Sequence, residues 1–122
     1  MSLAELVFLA QVLTVTDGDT FRARIEVWSG VEVVTAVRVA GIDTPELRGK
    51  CPAEKATAIA ARERLRALLA AGPVTLTAVM NDKYAGRVDA LVMVNGVRIA
   101  DTLIAEGLAR PYSGGARAGW CP

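Results

Sequence analysis

The sequence contains no histidine, so it lacks the side chain that most often exchanges protons near neutral pH. Aromatic residues are also scarce, with two each of tryptophan, tyrosine and phenylalanine, and the 52% hydrophobic content owes much to alanine. Any acid–base chemistry must therefore be performed by carboxylates and arginines.

The chain also lacks an excess of charge of either sign. Its formal net charge is +1, which excludes a strongly basic nucleic-acid coat protein. A phosphate-binding function would have to come from a local cluster of residues, because the overall field is weak. At 122 residues the chain fits one domain, 1–122, with a hydrophobic core of its own.

No apolar run approaches the length of a membrane span, so we expect no membrane partner. The first residues carry no basic region and include Glu5, which makes them a poor signal peptide. The chain can equally begin after a signal that has been removed. The sequence leaves both possibilities open.

Two cysteines, Cys51 and Cys121, are present. Two cysteines without a histidine do not make a zinc site. They are either free thiols or a disulfide that ties the C-terminal tail to the body, and a disulfide would indicate an oxidising compartment. A bridge over so long a loop contributes on the order of 4 kcal/mol in the chain-entropy model.

The first forty residues predict three strands joined by tight turns. The first strand covers Val7 to Val15 and precedes the turn Asp17-Gly18. The second covers Thr20 to Trp28, where apolar and charged residues alternate, and Ser29-Gly30 turns the chain into a valine-rich third strand, Val31 to Ile42. This order is typical of a β-meander.

The spacing of apolar residues then changes from the alternation of a strand to the period of a helix, which predicts a helix from Pro52 to Ala71. Proline suits the first turn, Glu54 favours the N-terminal end of the helix dipole, Arg66 lies near the other end, and Gly72-Pro73 stops the helix.

Two further strands and a short helix complete the predicted order. Val74 to Met80 is a strand, and the segments 88–94 and 97–99 flank the hairpin signal Asn95-Gly96. Ala100 to Glu106 is a short helix with Gly107 as its C-cap. The tail 113–120 has no packing pattern of its own. The order predicts an α+β, mainly β fold: a five-stranded Greek-key barrel of the OB type, with a helix after strand 3 and a short helix after strand 5.

Three polar segments could carry chemistry, although each alone has an ordinary structural explanation. Asp17-Gly18-Asp19 is most often just a hairpin turn, and it does not fit a calcium EF-hand loop. Asp43-Thr44-Pro45-Glu46 can be a capped loop at a strand end, and the loop 81–87 would normally be dismissed as solvated. Strand alternation places Arg38 and Asp43 on opposite faces unless the strand bends, and Gly41 is a plausible bend point.

Taken together, these segments resemble the staphylococcal nuclease (thermonuclease) family. Four blocks carry the resemblance: Asp17-Gly18-Asp19-Thr20, the segment Arg38 to Glu46, Asp82-Lys83-Tyr84-Ala85-Gly86-Arg87, and Glu106-Gly107-Leu108-Ala109. Their order and spacing match the family over nearly the whole chain, from about Val7 to Tyr112. The resemblance implies a calcium-dependent phosphodiesterase that acts on DNA and RNA, cleaves the P–O5′ bond and leaves 3′-phosphate ends.

The resemblance also implies a metal site and a base. Asp19, Asp43 and the backbone carbonyl of Thr44 look like the ligands of one Ca²⁺ ion, for which hard oxygen donors are suited. Glu46 matches the general base that orients or deprotonates a water for attack on phosphorus.

The same resemblance implies a substrate site. Arg38 and Arg87 match the two guanidinium groups that grip the phosphate and stabilise its charge. Tyr84 and Tyr112 would line the nucleotide pocket, and Lys83 lies beside Tyr84 as a further substrate contact.

Three departures from the family pattern affect these expectations. Ala85 is inserted before Gly86-Arg87, which puts the aim of Arg87 or the place of Tyr84 in question. Tyr112 is followed by Ser-Gly-Gly instead of a second tyrosine, and a third helix is missing. We suggest that a Cys51–Cys121 disulfide pins the tail in place of that helix, with Trp120 covering exposed core.

Two further function classes compete with the enzyme. Domains of this fold that have lost acids or arginines serve as nucleic-acid or protein docking modules, and a small structural OB domain is a third option. The acids and arginines named above are all present, which favours the nuclease. We expect a monomer, and we expect a secreted or periplasmic location from the two cysteines and the secreted habit of many relatives.

Overall fold

A computed structural model describes residues 6–122 of the chain. Glu5 and the residues before it, considered above as part of a signal peptide, lie outside the described residues. The elements follow the chain in this order: β1 (Phe8–Asp17), β2 (Thr20–Trp28), β3 (Val31–Val39), β4 (Ile42–Asp43), α1 (Pro52–Leu69), β5 (Val74–Asn81), β6 (Arg87–Val94), β7 (Val97–Arg98), α2 (Ile99–Ala105) and β8 (Arg110–Pro111).

Five of these strands form a closed barrel. The strand order is β3-β2-β1-β5-β6, all in antiparallel pairs, and a parallel pairing between β3 and β6 closes the ring. The short β7 extends β6, and β4 pairs separately with β8. The predicted five-stranded OB-type barrel with a long and a short helix is confirmed.

The predicted third strand was too long at its C-terminal end. β3 ends at Val39, and the chain turns at Ala40-Gly41 before the two-residue β4 begins. Gly41 adopts φ +85°, a left-handed conformation that glycine reaches without strain. The bend suggested at Gly41 is therefore present, and it separates Arg38 on the barrel from Asp43 in the segment that follows.

The core lies between the barrel and the apolar face of α1. Phe21, Ala23 and Ile25 point inward from β2, as the alternation predicts, but Val27 is 41% exposed because it lies near the far end of the β2–β3 hairpin. The helix contributes a buried stripe at helical spacing, made up of Ala58, Ala61, Leu65 and Leu69.

The β1–β2 turn packs closely against α1. A Cβ atom on Gly18 would lie 2.7 Å from the Cβ of Ala61 and 3.1 Å from that of Thr44, so only glycine fits there. This contact fixes the acidic turn beside the segment that follows β4. The Asp17-Gly18 hairpin signal thus also positions a site.

Candidate active site

All nine residues singled out in the sequence line one cavity of about 580 Å³ at the end of the barrel. They come from the β1–β2 turn, β3, β4 and the residues after it, the β5–β6 loop, the start of β6 and the residue after β8. The nine are Asp19, Arg38, Asp43, Thr44, Glu46, Lys83, Tyr84, Arg87 and Tyr112. Their convergence is a property of the closed barrel, because these segments are far apart along the chain.

The β1–β2 turn presents two carboxylates to the cavity. The backbone N–H of Asp19 donates to Oδ1 of Asp17 at 3.1 Å, and the Thr20 hydroxyl donates to Oδ1 of Asp19 at 3.0 Å. Burial, followed by the negative charge of Asp19 and then Glu46, raises the pKa of Asp17 to about 7. The two carboxylates of this turn are therefore close enough to affect each other's protonation.

The segment Asp43–Glu46, which begins at the end of β4, combines a buried carboxylate with an exposed one. Asp43 is 4% exposed, and Thr44 and Pro45 are buried beside it, whereas Glu46 is exposed to solvent. Asp43 is held in register by the pairing of β4 with β8, opposite Arg110. The fixed, buried carboxylate of Asp43 thus lies near the longer, exposed side chain of Glu46, which can reach a ligand in the cavity.

Glu54 holds this segment in place, a role that sequence reasoning missed. Its carboxylate accepts the backbone N–H of Glu46 at 3.2 Å and that of Lys50 at 2.9 Å. The hydrogen bonds from Lys50 and then Glu46 lower the pKa of Glu54. The available signal was the spacing from Cys51, which is the N-cap of α1 and accepts the N–H of Glu54; this is half of a capping box, since the Glu54 carboxylate accepts the N–H of Lys50 instead of that of Cys51.

We call Arg38 and Arg87 the arginine pair. Arg38 donates from Nη2 to the carbonyl of Ile42 at 2.8 Å, and the same nitrogen lies 3.8 Å from Oδ2 of Asp19. Arg87 opens β6 and donates from Nε to Oδ2 of Asp82 at 2.6 Å. Each guanidinium is anchored through part of its donor set while it lines the cavity, which leaves further donors for an anion.

The inserted Ala85 does not remove Arg87 from the cavity. Gly86 adopts φ +86° in the loop and lets the chain re-enter the sheet at Arg87. The Arg87 guanidinium carbon lies 5.0 Å from the centre of the Tyr84 ring, and Lys83 Nζ lies 5.3 Å from it. Tyr84 is 59% exposed, so a ring flanked by two cations faces solvent at the cavity mouth.

Asp82 and Asp89 form an acidic pair beside the arginine pair. Burial works to raise the pKa of Asp82, but hydrogen bonds from Asp89, Arg87 and the Tyr84 backbone outweigh it and hold the pKa well below its usual range. Burial, and then Asp82, raise the pKa of Asp89 to about 6, against the opposing charges of the arginine pair. Oδ1 of Asp89 is buried and accepts no hydrogen bond from the described residues.

The tail is packed over the cavity, although its sequence carries no packing pattern. We call residues 113–122 the C-terminal strap. The Tyr112 hydroxyl donates to the carbonyl of Gly115 at 2.7 Å, which folds the strap back toward the site. Cys51 and Cys121 are bonded as a disulfide with Cα atoms 6.0 Å apart, so the predicted pairing is confirmed.

The expected position of Trp120 over the core is wrong. Trp120 is not among the residues that pack on the hydrophobic core; its ring lies 3.7 Å from the guanidinium carbon of Arg110, and its Nε1 donates to Oδ2 of Asp43 at 3.2 Å. The physical reason is that the indole has a polar N–H, which finds a buried carboxylate, and a face that attracts the arginine.

Arg117 is a second residue of the site that sequence reasoning missed. Its Nη2 lies 2.5 Å from Oδ1 of Asp43, its Nη1 forms an ion pair with Glu46, and it donates to the carbonyl of Thr44 at 3.2 Å. No local signal marked it, because Arg117 lies in a segment without periodicity and more than seventy residues after its partners.

A family model described as staphylococcal nuclease homologue matches residues 36–118, which is more than half of the chain. The chain belongs to the staphylococcal nuclease homologue family. The match begins in β3 and ends within the strap at Ala118, so it includes every cavity residue except Asp17, Asp19 and Thr20. No curated protein matches the chain.

The donors of this staphylococcal nuclease homologue suit a hard cation. Asp19, Asp43 and the Thr44 carbonyl offer only oxygen, and the charge on Asp43 already attracts a guanidinium. Among residues 6–122, the one group of three His, Cys, Asp or Glu side chains within 4.8 Å is Cys51, Glu54 and Cys121. Its sulfurs are bonded to each other and cannot act as thiolate ligands. Within the same residues, no helix is long and apolar enough to span a membrane.

Proposed function

We propose that this staphylococcal nuclease homologue is a calcium-dependent nuclease that hydrolyses phosphodiester bonds of DNA and RNA, breaking the P–O5′ bond to leave 3′-phosphate ends. One observation supports it above the others: two aspartates, an exposed glutamate and two arginines reach a single cavity from four separate segments of the chain. A structural OB domain has no need of that combination.

Each residue has a chemical role in this proposal. Asp19, Asp43 and the carbonyl of Thr44 would hold Ca²⁺, which supplies Lewis-acid charge and a template when bound. Glu46 accepts a proton at its carboxylate from the water that attacks phosphorus, and its exposed side chain suits this.

The arginine pair binds the phosphate between its two planar guanidinium groups. Charge grows on the non-bridging oxygens in the transition state, and donors already anchored by Asp19, Ile42 and Asp82 stabilise it without reorganising. Tyr84 and Lys83 extend the contact surface for the nucleotide, and Tyr112 lines the same cavity.

The deciding experiment measures cleavage of heat-denatured DNA and of RNA with calcium, with chelator, and with Glu46→Gln. Glu26→Gln is the matched control, because Glu26 is an exposed carboxylate on β2 outside this cavity. We expect calcium-dependent cleavage that Glu46→Gln reduces about 10²–10⁴-fold and that Glu26→Gln leaves unchanged. Cleavage unaffected by chelator would reject the calcium site.

The arginine pair is tested separately. We expect Arg38→Ala and Arg87→Ala each to lower cleavage about 10²–10³-fold while the protein remains folded. Arg22→Ala is the control, since Arg22 is an exposed arginine on β2 that does not line the cavity. If either variant unfolds, its side chain serves the fold and its assignment to phosphate is wrong.

A non-catalytic nucleic-acid or protein-binding module is the alternative, and the ion pairs of Arg117 with Asp43 and Glu46 favour it. A module of this kind would bind single-stranded DNA in a salt-dependent way and leave it intact with or without calcium. The cleavage assay above distinguishes the two functions.

The disulfide supports a secreted or periplasmic location, because such bonds persist in oxidising compartments. Mass measurement on protein purified without reductant should find no free thiol; two free thiols would argue against that location. We expect a monomer on size-exclusion chromatography.

A further inference from the structure

We propose that the C-terminal strap is autoinhibitory: Arg117 competes with the divalent cation for the oxygen atoms of Asp43, Thr44 and Glu46, and the Cys51–Cys121 disulfide tethers it there. This inference rests on the proposed function, because it takes the same oxygen atoms to be the cation site. It adds a regulatory element that the site's own chemistry does not require.

The contacts of Arg117 cover the acidic segment after β4. Its guanidinium group lies 2.5 Å from Oδ1 of Asp43, donates to the Thr44 carbonyl at 3.2 Å, and forms an ion pair with Glu46. The same strap supplies Trp120, whose Nε1 donates to the other oxygen of Asp43 at 3.2 Å. Both oxygens of Asp43 are therefore engaged by the strap.

Because Asp43 is buried, its carboxylate needs a positive charge beside it. Asp43 is almost fully buried, and a buried carboxylate is costly unless a cation or hydrogen-bond donors compensate it. Either the guanidinium or a divalent cation can provide that charge, and two positive groups on the same oxygen atoms repel each other. A bound cation therefore disfavours Arg117 at Asp43 and at the Thr44 carbonyl.

The strap is held by contacts that do not involve the site. Arg110 stacks on Trp120 and donates from Nη1 to the carbonyl of Gly119 at 2.8 Å. The disulfide at Cys121 lies four residues after Arg117 and ties this end of the strap to the start of α1. A tether this short keeps the competing cation at a high effective concentration beside its partners.

The tether also makes the competition sensitive to a dithiol reductant. Dithiothreitol transfers two electrons and two protons to the Cys51–Cys121 bond, which becomes two thiols while the reductant closes into its own disulfide. The freed strap is then held only by its non-covalent contacts. Arg117 spends less time on Asp43, and the fraction of protein able to bind a cation rises.

The test is a calorimetric titration of the full chain with CaCl₂ in the absence of substrate. We compare the wild type, Arg117→Gln and Arg98→Gln, which removes the same charge from an exposed arginine that forms no ion pair with the described residues. We expect Arg117→Gln to lower the calcium Kd about tenfold or more, and Arg98→Gln to leave it unchanged. Reduced wild-type protein should shift in the same direction by a smaller factor.

Each other outcome overturns the inference in a distinct way. Equal Kd values for wild type and Arg117→Gln mean that Arg117 does not compete, and the calcium site of the proposed function stands. A higher calcium Kd in Arg117→Gln means that Arg117 holds the oxygen ligands of the calcium ion in place instead of competing for them. No calcium binding in any protein removes both the inference and the calcium site. Thermal unfolding of each variant in EDTA verifies that it is folded, and the reduced wild type tests the competition without a substitution.

Discussion

Removal of the disulfide should lower the stability of the whole domain by about 4 kcal/mol. The perturbation is the double variant Cys51→Ser and Cys121→Ser. Serine suits position 51, where the side chain is the N-cap of α1 and accepts the N–H of Glu54, so the cap is retained and only the covalent link is lost.

The magnitude follows from the length of the loop that the bond closes. Cys51 and Cys121 are 70 residues apart, and the segment between them contains α1, β5, β6 and α2. The chain-entropy relation gives about 15 cal/mol/K, or about 4 kcal/mol at 25 °C, for a loop of this size. In a domain of this length that corresponds to a fall in Tm of roughly 10–20 °C.

The assay is thermal and guanidinium unfolding followed by circular dichroism at pH 7 in EDTA. Wild-type protein treated with dithiothreitol should match the double variant, and the reductant should leave the double variant unchanged. A decrease in Tm of less than about 3 °C would refute the reasoning, because it would show that the bond orders only the strap and does not restrict the unfolded chain.

Three further changes test how the site is held. Gly18→Ala should destabilise the protein by about 1–3 kcal/mol in guanidinium unfolding, because the new Cβ meets that of Ala61; an unchanged midpoint would contradict the close packing. Glu54→Gln should lower Tm at pH 7 and lower cleavage several-fold. Because the pKa of Glu54 is lowered in the folded protein, its stabilisation is present above about pH 4.3 and should vanish as the pH falls below it. A Tm difference between wild type and Glu54→Gln that stays constant at all pH values would show another cause. The pKa of Asp89 is raised to about 6 beside Asp82 and the arginine pair, so this group binds more protons in the folded than in the unfolded protein, and wild-type stability should fall as the pH rises from about 4 to 6. Asp89→Asn should raise the free energy of unfolding by about 1–2 kcal/mol above pH 6 and remove that fall. Equal pH profiles for Asp89→Asn and wild type would contradict it.

Local patterns predicted the elements well, because turns and periodicity are short-range properties. The alternation in Thr20–Trp28 and the stop at Gly72-Pro73 gave boundaries that agree with β2 and, within two residues, with α1. The third strand was drawn too long because Gly41 lies in a run of apolar residues, where a left-handed turn leaves the hydrophobic pattern unbroken.

The sequence by itself determined the barrel elements and the acidic segment from Arg38 to Glu46, because both depend on patterns among residues a few positions apart. Only the tertiary structure decided what else reaches that segment. Glu54 binds it from the first turn of α1, and Arg117 covers it from the strap, more than seventy residues beyond Glu46. The Glu54 contact depends on how α1 packs beside the segment, and the Arg117 contact depends on barrel closure and on the disulfide, which leave no local pattern in the chain.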